Sequence, residues 1–185
     1  MSAPQVLGGD DIAAAIEHVL RENIPAVLEL LDLEELGQVE TWQQVPTAEA
    51  LSTARLPAVA IVAPRMASQA LRNATNYDGT WQASVAVFIR GKDHATTQAA
   101  AQAWAKVIRV AALLSRRLGT LPVQLRWVGE EYDLQPEKST ARTLGGCEVF
   151  FDALAESVMD LSAIRNTLSS APVVTETETT VTLSN

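Results

Sequence analysis

Thr80-Trp-Gln-Ala-Ser-Val-Ala-Val-Phe-Ile-Arg-Gly91, followed by Lys92-Asp93 and the alanine-rich run from His94 to Gly119, changes hydrophobic period within one turn. In the first part Trp81, Ala83, Val85, Val87 and Ile89 share one face, against Gln82, Ser84 and Arg90, with Phe88 the main apolar exception. Alternation of this kind predicts a half-buried strand, more fully covered at its far end. Asp93 then opens a helix, its carboxylate suited to accept the unpaired N–H groups of the first turn. Ala100, Trp104, Val107, Ile108, Ala111, Leu114 and Leu118 recur at spacings of three and four, as on one helical face. Arg116 and Arg117 are expected in the last turn and Gly119 at the stop. The unit is scaffold throughout: its loops hold no nucleophile, metal cluster or phosphate-binding glycine loop.

Composition sets the frame around it. A chain of 185 residues can bury roughly 70% of its unfolded surface in one domain. Cys147, as the one cysteine, excludes an internal disulfide framework, and with two histidines it leaves little for a metal site. A reducing compartment, or indifference to redox, fits that count. The first nine residues lack a basic segment and a long apolar run, so no signal peptide is expected. Lys106 and Arg109 interrupt the most apolar helical stretch, which argues against a membrane span. These readings together predict a soluble, cytoplasmic protein. Net charge is −8, and the lysines are only Lys92, Lys106 and Lys138. Binding to nucleic acid rests largely on phosphate neutralisation, so an acidic chain without a basic run is a poor DNA binder. Such a charge is read first as plain solubility, and it also suits a surface past which DNA slides.

Upstream, Asp10 or Asp11 is placed to cap a helix with the stripe Ile12, Ile16, Val19 and Leu20. Pro25 is expected to kink or restart it near Asn23–Ile24, after which Val27, Leu28, Leu31 and Leu36 lead toward Gly37. Residues 38–56 show no period and read as a connection. Pro57-Ala-Val-Ala-Ile-Val-Ala-Pro64 fits a short buried strand bounded by prolines. Residues 65–79 read as a polar loop, with Asn76-Tyr-Asp-Gly79 as the turn before the main strand.

Downstream, Val123, Leu125 and Trp127 alternate against Gln124 and Arg126 in a further half-buried strand. Gly129-Glu-Glu-Tyr-Asp133 follows, then a polar turn at Pro136-Glu-Lys-Ser139. Residues 140–152 return antiparallel, and Gly145-Gly146 within them suggests a bulge or sharp bend. The order predicts an α+β fold: a mainly antiparallel sheet of about four strands packed on the long helix, with an N-terminal helix and an extended C-terminal arm. Residues 1–168 form the single domain and residues 169–185 the arm, after a short helix over residues 160–168. In the arm Val173, Thr175, Thr177, Thr179, Val181 and Leu183 share one face of a strand, with Val174 beside them. Such a segment has high β-propensity but too little apolar bulk to fold alone. It is expected to pair either with a partner surface or with the chain's own sheet.

Catalysis is weakly supported everywhere. His18 sits beside the first helical stripe and His94 follows the cap Asp93, and both read as surface residues. Cys147 alternates onto a face with Val149 and Phe151, as a small buried thiol does. Glu130, Glu131 and Asp133 form a dense acidic patch without EF-hand spacing, best read as a solvated strand end. No catalytic, metal-binding or cofactor-binding residue is expected.

The layout nevertheless resembles a known family. A leading helix precedes an apolar strand with a proline at each end. Tyr77-Asp-Gly-Thr-Trp81 then runs into Val85-Ala-Val-Phe-Ile-Arg-Gly91, and Asp93 starts the long helix. Trp127-Val-Gly-Glu-Glu-Tyr-Asp133 and Arg142-Thr-Leu-Gly-Gly-Cys-Glu-Val-Phe-Phe151 follow. Over about residues 10–155 this is similar to the tail terminator (tail-completion) proteins of long-tailed bacteriophages; the threonine-rich arm is not part of that pattern. The resemblance implies a homo-hexameric ring in the virion, capping the tail tube protein, ending its polymerisation and docking head–tail connector (neck) proteins. Genomic DNA would pass through its lumen without tight binding, and no membrane is involved. Glu130, Glu131 and Asp133 are the candidate channel-wall acids, and the arm residues are the candidate subunit or partner interface. The alternatives are another neck, connector or head-closure protein, or a small-molecule-binding domain or enzyme.

Overall fold

The structure is a computed structural model, and it describes residues 6–44, 55–73, 75–136 and 142–170. Helix α1 (Gly9–Leu30) leads through a 3-10 turn (Glu34–Leu36) to the short strand β1 (Thr41–Gln43). Strands β2 (Ala58–Leu71) and β3 (Asn76–Gly91) form a long hairpin, and helix α2 (His94–Leu114) follows. Strands β4 (Val123–Pro136) and β5 (Thr143–Asp160) pair antiparallel, and helix α3 (Leu161–Ser170) ends the described chain. The sheet has five strands in the order β1-β2-β3-β5-β4, all neighbours antiparallel except β1 and β2. The expected mainly antiparallel sheet against a long helix is therefore present in outline, with one strand more than expected. That strand is β1, whose three residues are too few to display a period.

The sheet buries one face under α1 and α2. Trp81, Ala83, Val85, Val87 and Ile89 of β3 meet Phe151, Val149 and Cys147 of β5 in one core. Trp104, Val107, Ile108 and Ala111 of α2, and Ile12, Ile16, Leu20 and Val27 of α1, close it from above. Asn23 of α1 ties the helices together, its Nδ2 donating to Ala111 O at 2.9 Å and Ser115 Oγ at 3.2 Å. The opposite face of β3 carries exposed Gln82 and half-buried Ala86 and Phe88.

Several local expectations are corrected. Gly8, not an aspartate, occupies the position before α1, and its N–H donates to Asp11 Oδ2 at 2.8 Å. The first helical residue must be glycine, because a Cβ at Gly9 would collide with Ala63 O. Pro25 does not break α1. Its ring and the Arg21 turn lie on the exposed side, while Ile24, Val27 and Leu28 remain buried and hold the helix against the sheet.

At the start of α2, Asp93 Oδ1 accepts from Thr96 N at 2.8 Å, as its sequence position predicted, and this holds its carboxyl below the ordinary value. The helix stops at Leu114, a turn early. Arg116 and Arg117 are drawn into the sheet instead, with Arg117 bridging Gln124 and Leu125 N donating to Arg116 O at 2.8 Å. Gly119, at φ 58°, makes the turn that follows, Leu118 stays buried, and Leu114 is left 62% exposed.

Residues 65–79 are not a loop. β2 runs on to Leu71 and β3 begins at Asn76, with Asn73 Oδ1 accepting from Thr75 N at 3.0 Å and Asn76 N at 2.9 Å in the connection. Likewise β4 continues through Gly129–Asp133 to Pro136. Gly145 and Gly146 are in regular register with Ile89 and Phe88 on one side and Leu134 and Asp133 on the other, without a bulge. Glycine is required there by close approach, since a Cβ on Gly146 would run into Val87 O. Val173, Val174, Thr175, Thr177, Thr179, Val181 and Leu183 lie outside the described residues.

Candidate functional site

The three candidate wall acids sit on β4, which is an edge strand. Alternation would put Glu131 and Asp133 on the same face as Val123 and Leu125. A bulge between Trp127 and Gly129 inserts Val128 as an unpaired residue and reverses the sides beyond it. Glu130 and Tyr132 therefore stand opposite Val149 and Cys147 on the helix side. Glu131 and Asp133 stand opposite Glu148 and Gly146 on the open side. The structure does not bring the trio together as one group.

Glu130 is held by α2. Arg109 Nη1 lies 3.3 Å from Glu130 Oε2, and the two side chains are 29% and 23% exposed. Tyr132 Oη donates to Glu130 Oε1 at 2.7 Å, and the Arg109 guanidinium stacks 4.7 Å above the Trp127 ring. Trp127 Nε1 in turn donates to Gly129 O at 3.2 Å, across the bulge. Burial, and then the hydrogen bond and negative charge of Glu130, push the Tyr132 phenol up to about 12. A guanidinium between a carboxylate and an aromatic face is a cation–π and ion-pair sandwich, suited to fixing an edge strand rather than to chemistry.

On the open side Glu131 faces Glu148 directly, a like-charge pair across the two strands. Asp133 Oδ2 accepts from Gln135 Nε2 at 3.0 Å. Ala86, Phe88, Leu144 and the backbone of Gly145–Gly146 complete a shallow groove of about 290 Å³ beside them. Further along the same face Arg126 is paired with Asp152. Among the described residues no group of three or more His, Cys, Asp or Glu is arranged to hold a metal ion. The groove thus presents acids around a small apolar floor, without a converging set of ligands.

The remaining chemistry-bearing side chains are dispersed. His18 is exposed on α1, 3.3 Å from Glu22, and His94 is exposed in the first turn of α2. Cys147 lies in the core, where burial, and secondly the charge of Glu130, push its thiol up to about 12. A thiol so disposed is a poor nucleophile near neutral pH. No helix among the described residues is long and apolar enough to cross a membrane.

Two features escaped the sequence. Arg109 was visible only as a charge interrupting the helix, because its partners lie on β4. The exposed stretch of β2 from Pro64 to Ala70 has no alternation of its own, and its strand character comes from pairing with β3.

No family profile matches the chain, and no curated protein matches it. Among solved structures, a chain in the virion of a native gene transfer agent particle is similar at TM-score 0.40 and 15% identity. The likeness covers 77% of this chain and 98% of that one.

Proposed function

We propose that this protein is a structural component of a phage-like virion: one subunit of a ring that caps a tail tube, ends its polymerisation and joins it to the neck. The observation that carries the reading is that, among the described residues, α1 and α2 cover one face of the sheet while the β2 side of the β2–β3 hairpin lies bare beyond Ala63. From Pro64 to Ala70 every residue of that hairpin is exposed. A chain with a full core and a bare strand has finished its own folding and still offers backbone to a neighbour. The element order of the tail-terminator resemblance supports the same reading. Glu131 and Asp133, on the open face, are suited to the wall of a DNA channel. Glu130, drawn in by Arg109, is not. An acidic wall repels the duplex and lets it slide. The unit proposed is residues 1–168, with the arm of residues 169–185 serving contacts between subunits or with tube and neck proteins.

Particle reconstruction and solution mass test it together. Six copies around the tail axis are expected, with the free chain reaching that state as concentration rises. A lone copy, or a closed dimer, at the tail end would sink the reading. Duplex DNA should bind negligibly at physiological salt, and tight binding by the isolated protein would contradict a conduit.

A further inference from the structure

The two edges of the sheet are built differently. At the β4 edge, Arg117 bridges Gln124, Val128 forms a bulge, and Glu130, Glu131 and Asp133 follow. Bridges, bulges and charges are how a sheet edge is kept from recruiting another strand. On the other side β1 covers only Ala58–Ala60, and among the described residues the rest of β2 is paired with β3 alone. No acid lies between Ala58 and Arg72, and Arg65 makes no ion pair among the described residues. Pro64 and two register shifts mark the start of this stretch, but Ser68 to Leu71 continue in unbroken register with β3. The outer edge of Arg65–Leu71 is an open template for one more strand.

The chain itself contains a fitting segment. Pro172-Val-Val-Thr-Glu-Thr-Glu-Thr-Thr-Val-Thr-Leu183 is β-branched almost throughout, and its only charges are Glu176 and Glu178. It follows α3, which starts at the tip of the same hairpin, where Leu161 N donates to Thr75 O at 2.9 Å. Residues 171–185, fully extended, reach about 50 Å, enough to pass from one subunit to the next. Its acids suit Arg65 on β2 and are repelled by Glu131 and Asp133 on β4. Among the described residues of a single copy nothing pairs with the outer edge of β2 beyond Ala60. We propose that residues 172–183 of a second copy add as a strand to the outer edge of β2 at Arg65–Leu71. The proposal deepens the ring reading by naming the contact that joins neighbours, and it rests on that reading for the presence of a neighbour.

Cysteine pairing between two differently tagged full-length chains tests it. One chain carries Gln69→Cys and the other carries Thr175→Cys, Thr177→Cys or Thr179→Cys in turn, so that strand register does not decide the result. Under mild oxidation a disulfide joining the two tags is expected for at least one arm position. It should be lost when Arg65→Glu is added, and restored when Glu176→Arg and Glu178→Arg are added to the arm. In a chain carrying both cysteines, a disulfide that stays within one chain would overturn the proposal, because the arm would then cover its own sheet. A ring that assembles normally without cross-links, and without residues 171–185, would also overturn it and leave the ring reading intact. A chain that is monomeric at every concentration and in the particle would overturn both.

Discussion

The base and the tip of the β2–β3 hairpin follow one ladder and have opposite surroundings. At the base, Val59 and Ile61 pair with Val87 and Val85 beneath α1 and α2, and all four are buried. At the tip, Ser68 to Leu71 pair with Thr80 to Tyr77 in the same antiparallel sense, with β2 exposed from Pro64 to Ala70. Backbone pairing alone therefore does not say which part of a strand stabilises the molecule. Apolar burial stabilises the base, at about 25 cal/mol for each Å² removed from water, and the β2 side of the tip receives almost none of it, while Tyr77 on β3 still packs against the core.

The sharpest way to break that contrast is to empty the core over the base. Trp104 of α2 is fully buried in the cluster that contains Val85, Val87 and Leu125. Trp104→Ala is expected to cost about 3–5 kcal/mol in denaturant unfolding. An unchanged midpoint would mean that α2 does not support the base. Next in size is the clamp on β4. Arg109→Ala leaves Glu130 half-buried without its cation and removes the cover over Trp127, and a loss of about 1–2 kcal/mol is expected. A red shift of Trp fluorescence should accompany it, and an unaltered spectrum would place Trp127 outside the clamp.

A smaller effect is expected with pH at the start of α2. The Asp93 carboxyl is lowered by the Thr96 N–H and then by the Thr96 hydroxyl. The carboxylate form is thus favoured in the folded state, and its contribution is whole above the ordinary aspartate range. It is lost as pH falls through the lowered folded value. Asp93→Ala should accordingly flatten the acid limb of the stability–pH curve, and an unchanged acid limb would remove Asp93 from that role. Smallest of all is the tip: Met66→Ser, on a residue 38% exposed, should move stability by no more than about 0.5 kcal/mol. A loss comparable to that at Trp104 would show that the tip folds the domain after all.

The same contrast explains what could be read from the sequence. The inner face of β3, the cap Asp93 and the stripe through Trp104 were legible because burial on one side writes a period into the residues. Arg65–Ala70 was not legible, since a strand exposed on both faces is under no such pressure and Ser, Gln and Ala serve it equally. The early end of α2 was hidden for another reason: Leu118 remains buried and so continues the helical spacing, although 116–118 now pair with β4. The acids on β4 read as one patch in the sequence, and their division between two faces was not legible, because one unpaired residue at Val128 carries no signature in composition. Arg109 and Glu130 are 21 residues apart and are brought together only by the packing of α2 on the sheet.

Val128 amounts to a parity bit. From Glu130 to Gln135 each side chain takes its side of the sheet from Val128 standing outside the pairing. Excising that single residue would keep every side as it is, since Gly129 would follow Trp127 directly and still meet Phe150. Admitting Val128 to the ladder would reverse them: Glu130 and Tyr132 would turn outward, and Glu131 and Asp133 would swing under α2, where Arg109 would meet a different carboxylate. The pairing of one residue therefore separates the molecule's clamp from its acidic wall.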